Sequence, residues 1–176
     1  MPTYLRRLVG ALVLDSAAYE DVEADQGATL AAGLTVLLSS VAAAVGAQGF
    51  GQHLSNIPTF VLVMLGGWMS WALLTFEVGA RLLPGTRTHA DVGELLRTLG
   101  FAAAPGLLLA LGALPGLAVP IFATVPLWML ATMVLAVRQA LDYTSTMRAV
   151  AVCVFGWLLA LGMILGVGLL AGTPVR

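Results

Sequence analysis

The sequence predicts an all-α integral membrane protein with five transmembrane helices, a short interfacial helix at the N-terminus and a short cytoplasmic amphipathic helix between spans two and three. Composition is the first reason: 60% of the 176 residues are hydrophobic, 10% are charged, and the mean hydropathy is +0.98. Soluble domains are about 45–50% apolar and about 25% charged. A globule of this size has too few charged side chains to cover its surface, which excludes a water-soluble fold.

The spacing of the charged residues is the second reason. Three stretches contain no Asp, Glu, Lys or Arg: 26–76, 98–137 and 149–175, with lengths of 51, 40 and 27 residues. Because a membrane-crossing helix needs about 20 apolar residues, the first two stretches hold two spans each and the third holds one. Within a membrane domain of 28–171, we expect the spans at 28–47, 58–82, 100–114, 117–137 and 148–171.

Residues 1–27 are predicted to form a cytoplasmic or interfacial segment. Apolar residues recur there at helical spacing beside two arginines: Leu5, Leu8, Val9 and Leu12, with Arg6 and Arg7. This pattern indicates either a helix in the lipid headgroup region or the first turns of a soluble helix packed on its neighbours. The apolar run 8–14 is too short for a signal peptide and is not followed by a small-residue cleavage site, so we expect this segment in the mature protein.

Glycine and proline mark the ends of the first two spans. The first begins after a glycine and ends at a polar, uncharged loop, 49–56. Pro58 suits the first turn of the second span, and Pro84 closes it. Glu77 and Arg81 lie in the last turns of this span, in the order that favours a helical ion pair.

The connection to the third span is predicted to be a short amphipathic helix that starts at residue 88 or 89 and ends at 99. Its two faces are Val92, Leu95, Leu96 and Leu99 on one side and Asp91, Glu94 and Arg97 on the other. Pro115 and Gly116 then separate the third span from the fourth. Three prolines lie inside these spans and predict kinks: Pro105, Pro120 and Pro126.

The arginines indicate the orientation in the membrane. Loops on the cytoplasmic side are enriched in basic residues, and five spans put all the arginines on one side except Arg176, which lies in the short external tail 172–176. We therefore expect a cytoplasmic N-terminus and an external C-terminus. Every acidic residue falls on the same cytoplasmic side, so recognition through ionic groups is expected from the cytoplasm.

The chain contains 20 glycines, which allow helices in a membrane to approach closely. Gly66 and Gly67 lie in the middle of the second span, and Gly162 and Gly166 form a GxxxG pattern in the fifth. We expect these glycines to pack helices within the chain, with a dimer interface as the alternative.

No catalytic or metal-binding motif is found in the sequence, and we predict a protein without enzymatic activity, cofactor or bound metal. His53 and His89 fall on opposite sides of the predicted membrane, and the single cysteine, Cys153, lies inside the fifth span, where a small apolar role is expected. One cysteine supports neither an intramolecular disulfide nor a cysteine metal cluster. The net charge of −1 gives no indication of nucleic-acid binding.

The remaining candidate for function is a group of residues on the cytoplasmic side: Tyr19, Glu20, Glu23, Asp25, Glu77, Arg81, Arg97 and Arg138. Its carboxylates are the ligand type that Mg²⁺ and Ca²⁺ prefer. The arginines on the same side account for the pattern as an ion-pair network, which we take as the stronger interpretation. In an enzyme, Glu20, Glu23 and Glu77 would be the first acid–base candidates.

Several motifs follow one another along residues 5–165: the acidic lead-in 15–29, Gly67-Trp68-x-x-Trp71, the segment 96–106, Trp128, and the segments 137–141 and 145–149. In order and spacing they resemble the bacterial branch of the Yip domain family, the Ypt-interacting-protein-like membrane proteins. The resemblance implies five spans, a cytosolic N-terminus and a bacterial inner membrane. It also implies that Pro105, which follows Gly100-Phe101, is a structural and packing element at the cytoplasmic start of the third span.

The eukaryotic relatives act in vesicle traffic and contact Rab-type GTPases through cytosolic regions. Asp25-Gln26-Gly27 matches their Asp-Leu-Tyr-Gly-Pro signature only loosely, so Rab binding is not carried over to this chain.

The one-sided charge, the lack of catalytic groups and the resemblance lead to one hypothesis for function. We expect a non-enzymatic inner-membrane protein that acts through its cytoplasmic face as a scaffold or partner-binding module. Its expected partners are membrane lipids and either a second copy of the chain or another membrane protein.

The alternative is a small channel or lipid-handling protein. It is indicated by the prolines of the third and fourth spans and by hydroxyl groups in or near the spans: Ser39, Ser40, Ser70, Thr75, Thr124 and Thr132. Such hydroxyls more often bond to a carbonyl one turn back in the same helix.

Overall fold

The computed structural model of the chain describes residues 3–48, 57–84, 91–156 and 158. Within them the chain is helical and contains no strand. The helices are α1 (Thr3–Leu12), α2 (Ser16–Ala24), α3 (Ala28–Gln48), α4 (Ile57–Phe76), α5 (Val92–Ala102), α6 (Ala118–Ala140) and α7 (Thr146–Gly156). A π-helix, Glu77–Leu82, extends α4, and a 3₁₀-helix, Ala104–Ala113, follows α5.

Four helical segments of the described residues are long and apolar enough to cross a membrane: Ala28–Ala47, Val61–Leu82, Val92–Ala113 and Ala118–Ala140. Segments one, two and four lie within a few residues of predicted spans one, two and four. The short apolar helix α7 begins two residues before the predicted fifth span, 148–171, most of which lies outside the described residues. The prediction of an all-helical chain with helices of transmembrane length is confirmed.

The third segment differs from its prediction. No break occurs at residue 99 or 100, because α5 runs without interruption from Val92 to Ala102 and then tightens into the 3₁₀-helix. Asp91 fixes the start of α5 through a capping box: the Glu94 backbone amide donates to Asp91 Oδ1 at 2.8 Å, and the Asp91 backbone amide donates to Glu94 Oε2 at 2.8 Å. The amphipathic helix is not confirmed as a separate element: its described residues belong to α5, the first half of one longer segment, and its predicted start lies outside the described residues.

Pro105 lies at the junction between α5 and the 3₁₀-helix and is buried. A proline in a first helical turn removes no hydrogen bond that the helix needs. The sharp connection comes later, where Gly116 has a φ of +79° between the 3₁₀-helix and α6. This left-handed conformation favours glycine, which is why Pro115-Gly116 separates the two segments.

Close approach of α3 to the third segment depends on two glycines. A Cβ on Gly100 would lie 2.6 Å from the Cβ of Ala32 and 3.0 Å from the Cα of the same residue. A Cβ on Gly46 would overlap the carbonyl oxygen of Leu109. The backbones therefore pack against each other directly at two levels of the bundle.

Gly66 and Gly67 do not have the packing role predicted for them within the described chain. A Cβ on either residue would meet nothing within 4 Å, and both residues are exposed. Helix α4 packs instead through its tryptophans: Trp68 lies over Gly33, and a Cβ on Gly156 would be 3.0 Å from the Trp71 ring. The second predicted pair, Gly162 and Gly166, lies outside the described residues.

Candidate functional site

Helices α1 and α2 form a hairpin that packs beside α5 and α6. The hairpin is held by Arg7, which is 8% exposed. Its Nε donates to Asp21 Oδ2 at 2.9 Å and its Nη1 donates to Asp25 Oδ2 at 2.7 Å. These hydrogen bonds from Arg7 hold the pKa of both carboxyl groups below the usual value. Arg6 adds a more exposed ion pair to Asp21 at 2.8 Å.

Tyr19 is a core residue of this hairpin. Its side chain is 1% exposed, and its hydroxyl donates to the Ala11 carbonyl oxygen at 3.4 Å. Burial raises the pKa of Tyr19 well above its ordinary value, so the phenol stays neutral. The predicted role of Tyr19 at the functional surface is replaced by a role in packing.

A cavity with a volume of about 590 Å³ lies where α2, the start of α5 and the end of α6 meet. We call it the acidic cavity. Its polar lining comes from Glu20, Glu23, Glu94, Arg138, Gln139, Asp142, Tyr143 and Thr144. Four carboxylates and one guanidinium give this surface a negative balance, which attracts cationic groups.

Glu23 has the most perturbed carboxyl group of the cavity. Burial, and then the negative charges of Glu94 and Asp142, raise its pKa from 4.5 to about 7. Glu20 contributes in the same direction, whereas the guanidinium of Arg97 opposes the shift. The charge of the cavity therefore changes close to neutral pH.

Two side chains hold the walls of the cavity together. Arg97 is buried, and its Nη2 and Nε donate to the Glu23 carbonyl oxygen at 2.6 and 3.2 Å, which ties α5 to α2. Gln139 Nε2 donates to Glu20 Oε1 at 3.0 Å, which ties α6 to α2. The hydrogen bonds from Arg97 explain how an arginine predicted on a polar face is accommodated inside the protein.

A second set of contacts connects the segment after α6 to the end of the π-helix. The Tyr143 hydroxyl lies 2.8 Å from the carbonyl oxygens of both Gly79 and Leu83, and its one proton can be donated to either. Arg148 Nη1 donates to the Pro84 carbonyl oxygen at 3.1 Å. Both polar side chains thus satisfy carbonyl groups that a helix end leaves without a partner.

The predicted cluster is divided by the structure. Glu20, Glu23 and Arg138 line the acidic cavity, and Arg97 binds the backbone beside them. Asp25 belongs to the Arg7 ion pair of the hairpin. Glu77 and Arg81 form an exposed pair at 2.8 Å on the end of the second segment, and neither residue lines the cavity.

Asp142 and Tyr143 were not identified from the sequence. Asp142 follows α6 in a turn with a φ of +51°. It lines the same cavity as Glu23 only because α2 packs beside the end of α6. The sequence gives only a weak indication of these two residues. Both directly follow the motif Val137-Arg138-Gln139-Ala140-Leu141, within a short polar stretch between two apolar ones.

Within the described residues, no group of three or more His, Cys, Asp or Glu side chains is placed to hold a metal ion. The arrangement offers hydrogen-bond acceptors and negative charge to a ligand with donor groups. Comparisons with family models, with curated proteins and with solved structures found no match to this chain.

Proposed function

We propose that this chain is a non-enzymatic, Yip-like inner-membrane protein that binds a protein partner through its charged end. By the charged end we mean α2, the start of α5 and the end of α6. The single observation that carries the proposal is the acidic cavity, a concave surface with four carboxylates and one arginine. A partner with exposed basic side chains fits this surface by charge.

Five spans and a cytoplasmic N-terminus belong to the same proposal. Their support is the count of four helical segments of sufficient length, the apolar continuation of the sequence after α7, and the one-sided arginines. The order of the Yip-like motifs supports the family assignment. Under this topology the charged end faces the cytoplasm, and the partner is either a second copy of the chain or another membrane protein.

Several of the hydroxyl groups that suggested a channel donate to backbone carbonyl oxygens. Ser40 donates to the Val36 carbonyl oxygen at 2.7 Å and Thr124 to that of Pro120 at 2.7 Å, one turn back in each helix. Ser39 donates across to the Ala103 carbonyl oxygen at 2.8 Å. Because these donors serve backbone carbonyls, we favour the scaffold over the channel.

Affinity capture in mild detergent tests the proposed function. We expect the wild-type protein to retain one stoichiometric protein partner, or a second copy of itself. The double variant Glu20→Gln and Asp142→Asn removes two negative charges from the cavity, so its retention of the partner is expected to fall about tenfold.

The matched control is Glu77→Gln with Asp91→Asn, which removes the same two charges outside the cavity. This control is expected to retain the partner at the wild-type level. Repeated recovery of wild-type monomer alone, or equal loss of the partner in the control, would contradict the proposal.

A further inference from the structure

An apolar groove of about 540 Å³ lies on the outer face of α6, between the turn after α1 and the beginning of α7. Its lining includes Leu127, Leu130 and Val134 from α6, Leu14 from the turn and Val150 from α7. Volumes of about 300–1,000 Å³ are typical of small-molecule sites. The groove is therefore large enough for a ligand and offers it almost exclusively apolar contacts.

Polar groups occur at one end of the groove, where Arg138 and Thr146 complete the lining. Arg138 forms no ion pair with the described residues. Its hydrogen bonds are two long ones, from Nε to the Tyr143 carbonyl oxygen and from Nη1 to Thr146 Oγ1, both at 3.4 Å. The guanidinium thus keeps donor capacity for an anion, and arginine recognises phosphate oxygens with paired donors.

The length of the groove fits one leaflet of a bilayer. Arg138 lies three helical turns from Leu127, which is about 16 Å at 1.5 Å per residue. The hydrocarbon core of a bilayer is about 30 Å thick, so that one leaflet accounts for about 15 Å. An acyl chain in the groove would run beside α6 while its headgroup lies at the level of Arg138.

We propose that this groove binds one acyl chain of an anionic phospholipid, whose phosphate is held by Arg138 and Thr146. The apolar lining accommodates the acyl chain, and the guanidinium of Arg138, which forms no ion pair with the described residues, offers donors to the phosphate. A free phosphate would make no use of the apolar lining, and a purely apolar ligand would make no use of the hydrogen-bond donors of Arg138. Arg138 also lines the acidic cavity, so the two sites share this residue. The apolar lining belongs to the groove alone, so the lipid site does not depend on the proposed function.

Native mass spectrometry of the delipidated protein, with one lipid added back at a time, tests the site. With phosphatidylglycerol, the wild-type protein is expected to retain one lipid molecule, and with diacylglycerol, which has the same acyl chains and no phosphate, about tenfold less. Arg138→Gln removes the phosphate contact and is expected to lower phosphatidylglycerol retention about tenfold. Ala131→Trp keeps Arg138 but fills the groove, and is expected to lower retention to a similar extent.

Arg81→Gln is the matched control, because Arg81 is an exposed arginine paired with Glu77 outside the groove. It is expected to retain phosphatidylglycerol at the wild-type level. Each variant is first checked for a wild-type elution volume and melting temperature, so that loss of fold is distinguished from loss of the site. Equal retention of the two lipids, unchanged retention in Arg138→Gln, or displacement of the lipid by millimolar inorganic phosphate would overturn the proposal.

Discussion

Alanine at Gly46 or Gly100 is expected to lower the free energy of unfolding by about 2–3 kcal/mol, a value typical of severe overpacking. At Gly46 the new Cβ would overlap the carbonyl oxygen of Leu109 and lie 2.8 Å from its carbonyl carbon. At Gly100 it would lie 2.6 Å from the Cβ of Ala32. In both places the neighbour is backbone or is fixed to it, so relief requires α3 to move away from the third segment.

The loss of stability is measured by thermal unfolding in mild detergent, monitored with a fluorescence method that does not require a thiol group. The matched controls are Gly66→Ala and Gly67→Ala in α4, where the new Cβ meets nothing within 4 Å. Since alanine has the higher helix propensity, by about 1 kcal/mol in helix interiors, the controls are expected to be neutral or slightly stabilising. Equal destabilisation by all four substitutions would show that the packing surface of α4 has been assigned incorrectly.

The Glu23→Gln substitution is expected to stabilise the protein at pH 8 and to have no such effect at pH 4. The pKa of Glu23 in the folded protein is raised from 4.5 to about 7. Between these values the folded state keeps a proton that the unfolded state has lost, so stability falls as the pH rises through this window. Glutamine removes the titrating group and hence this part of the pH dependence.

The size of the effect is moderate because Glu23 is half-buried. The full pKa difference would correspond to about 1.4 kcal/mol per unit, and solvent screening of a partly exposed carboxyl reduces it, so we expect about 1–2 kcal/mol at pH 8. Melting temperatures measured from pH 4 to pH 8 give the profile. Glu77→Gln, outside the cavity, is expected to keep the wild-type profile. If the melting temperature of Glu23→Gln falls with pH as much as that of the wild type, a group other than Glu23 causes the pH dependence.

The limits of the apolar helices could be predicted because charges and breakers mark them locally. The first span was expected from residue 28, where α3 begins, and Pro115-Gly116 was expected to separate two spans, where Gly116 adopts a left-handed turn. The junction at residues 99 and 100 could not be predicted in this way. Arg97 suggested a solvent-exposed face, but a carbonyl oxygen from α2 satisfies its guanidinium inside the protein.

The acidic cavity was predictable only in part. Glu20, Glu23 and Arg138 stood out as charges on one side of the membrane, but their relative positions depend on the packing of α2 against α6. The hydrogen bond between Gln139 and Glu20 joins residues far apart in the chain, and no local pattern encodes it. The same tertiary packing brings Asp142 to Glu23, which is why sequence reasoning missed Asp142.

Binding of a protein partner at the charged end is tested most directly by site-specific photo-crosslinking in intact membranes. A photoreactive amino acid at Thr144, which lines the acidic cavity, is compared with one at Leu62, which is 70% exposed on α4. We predict one discrete protein adduct from Thr144 that disappears when Glu20→Gln and Asp142→Asn are added, and no such adduct from Leu62. The absence of a protein adduct at Thr144, or an equal adduct at Leu62, would contradict the claim.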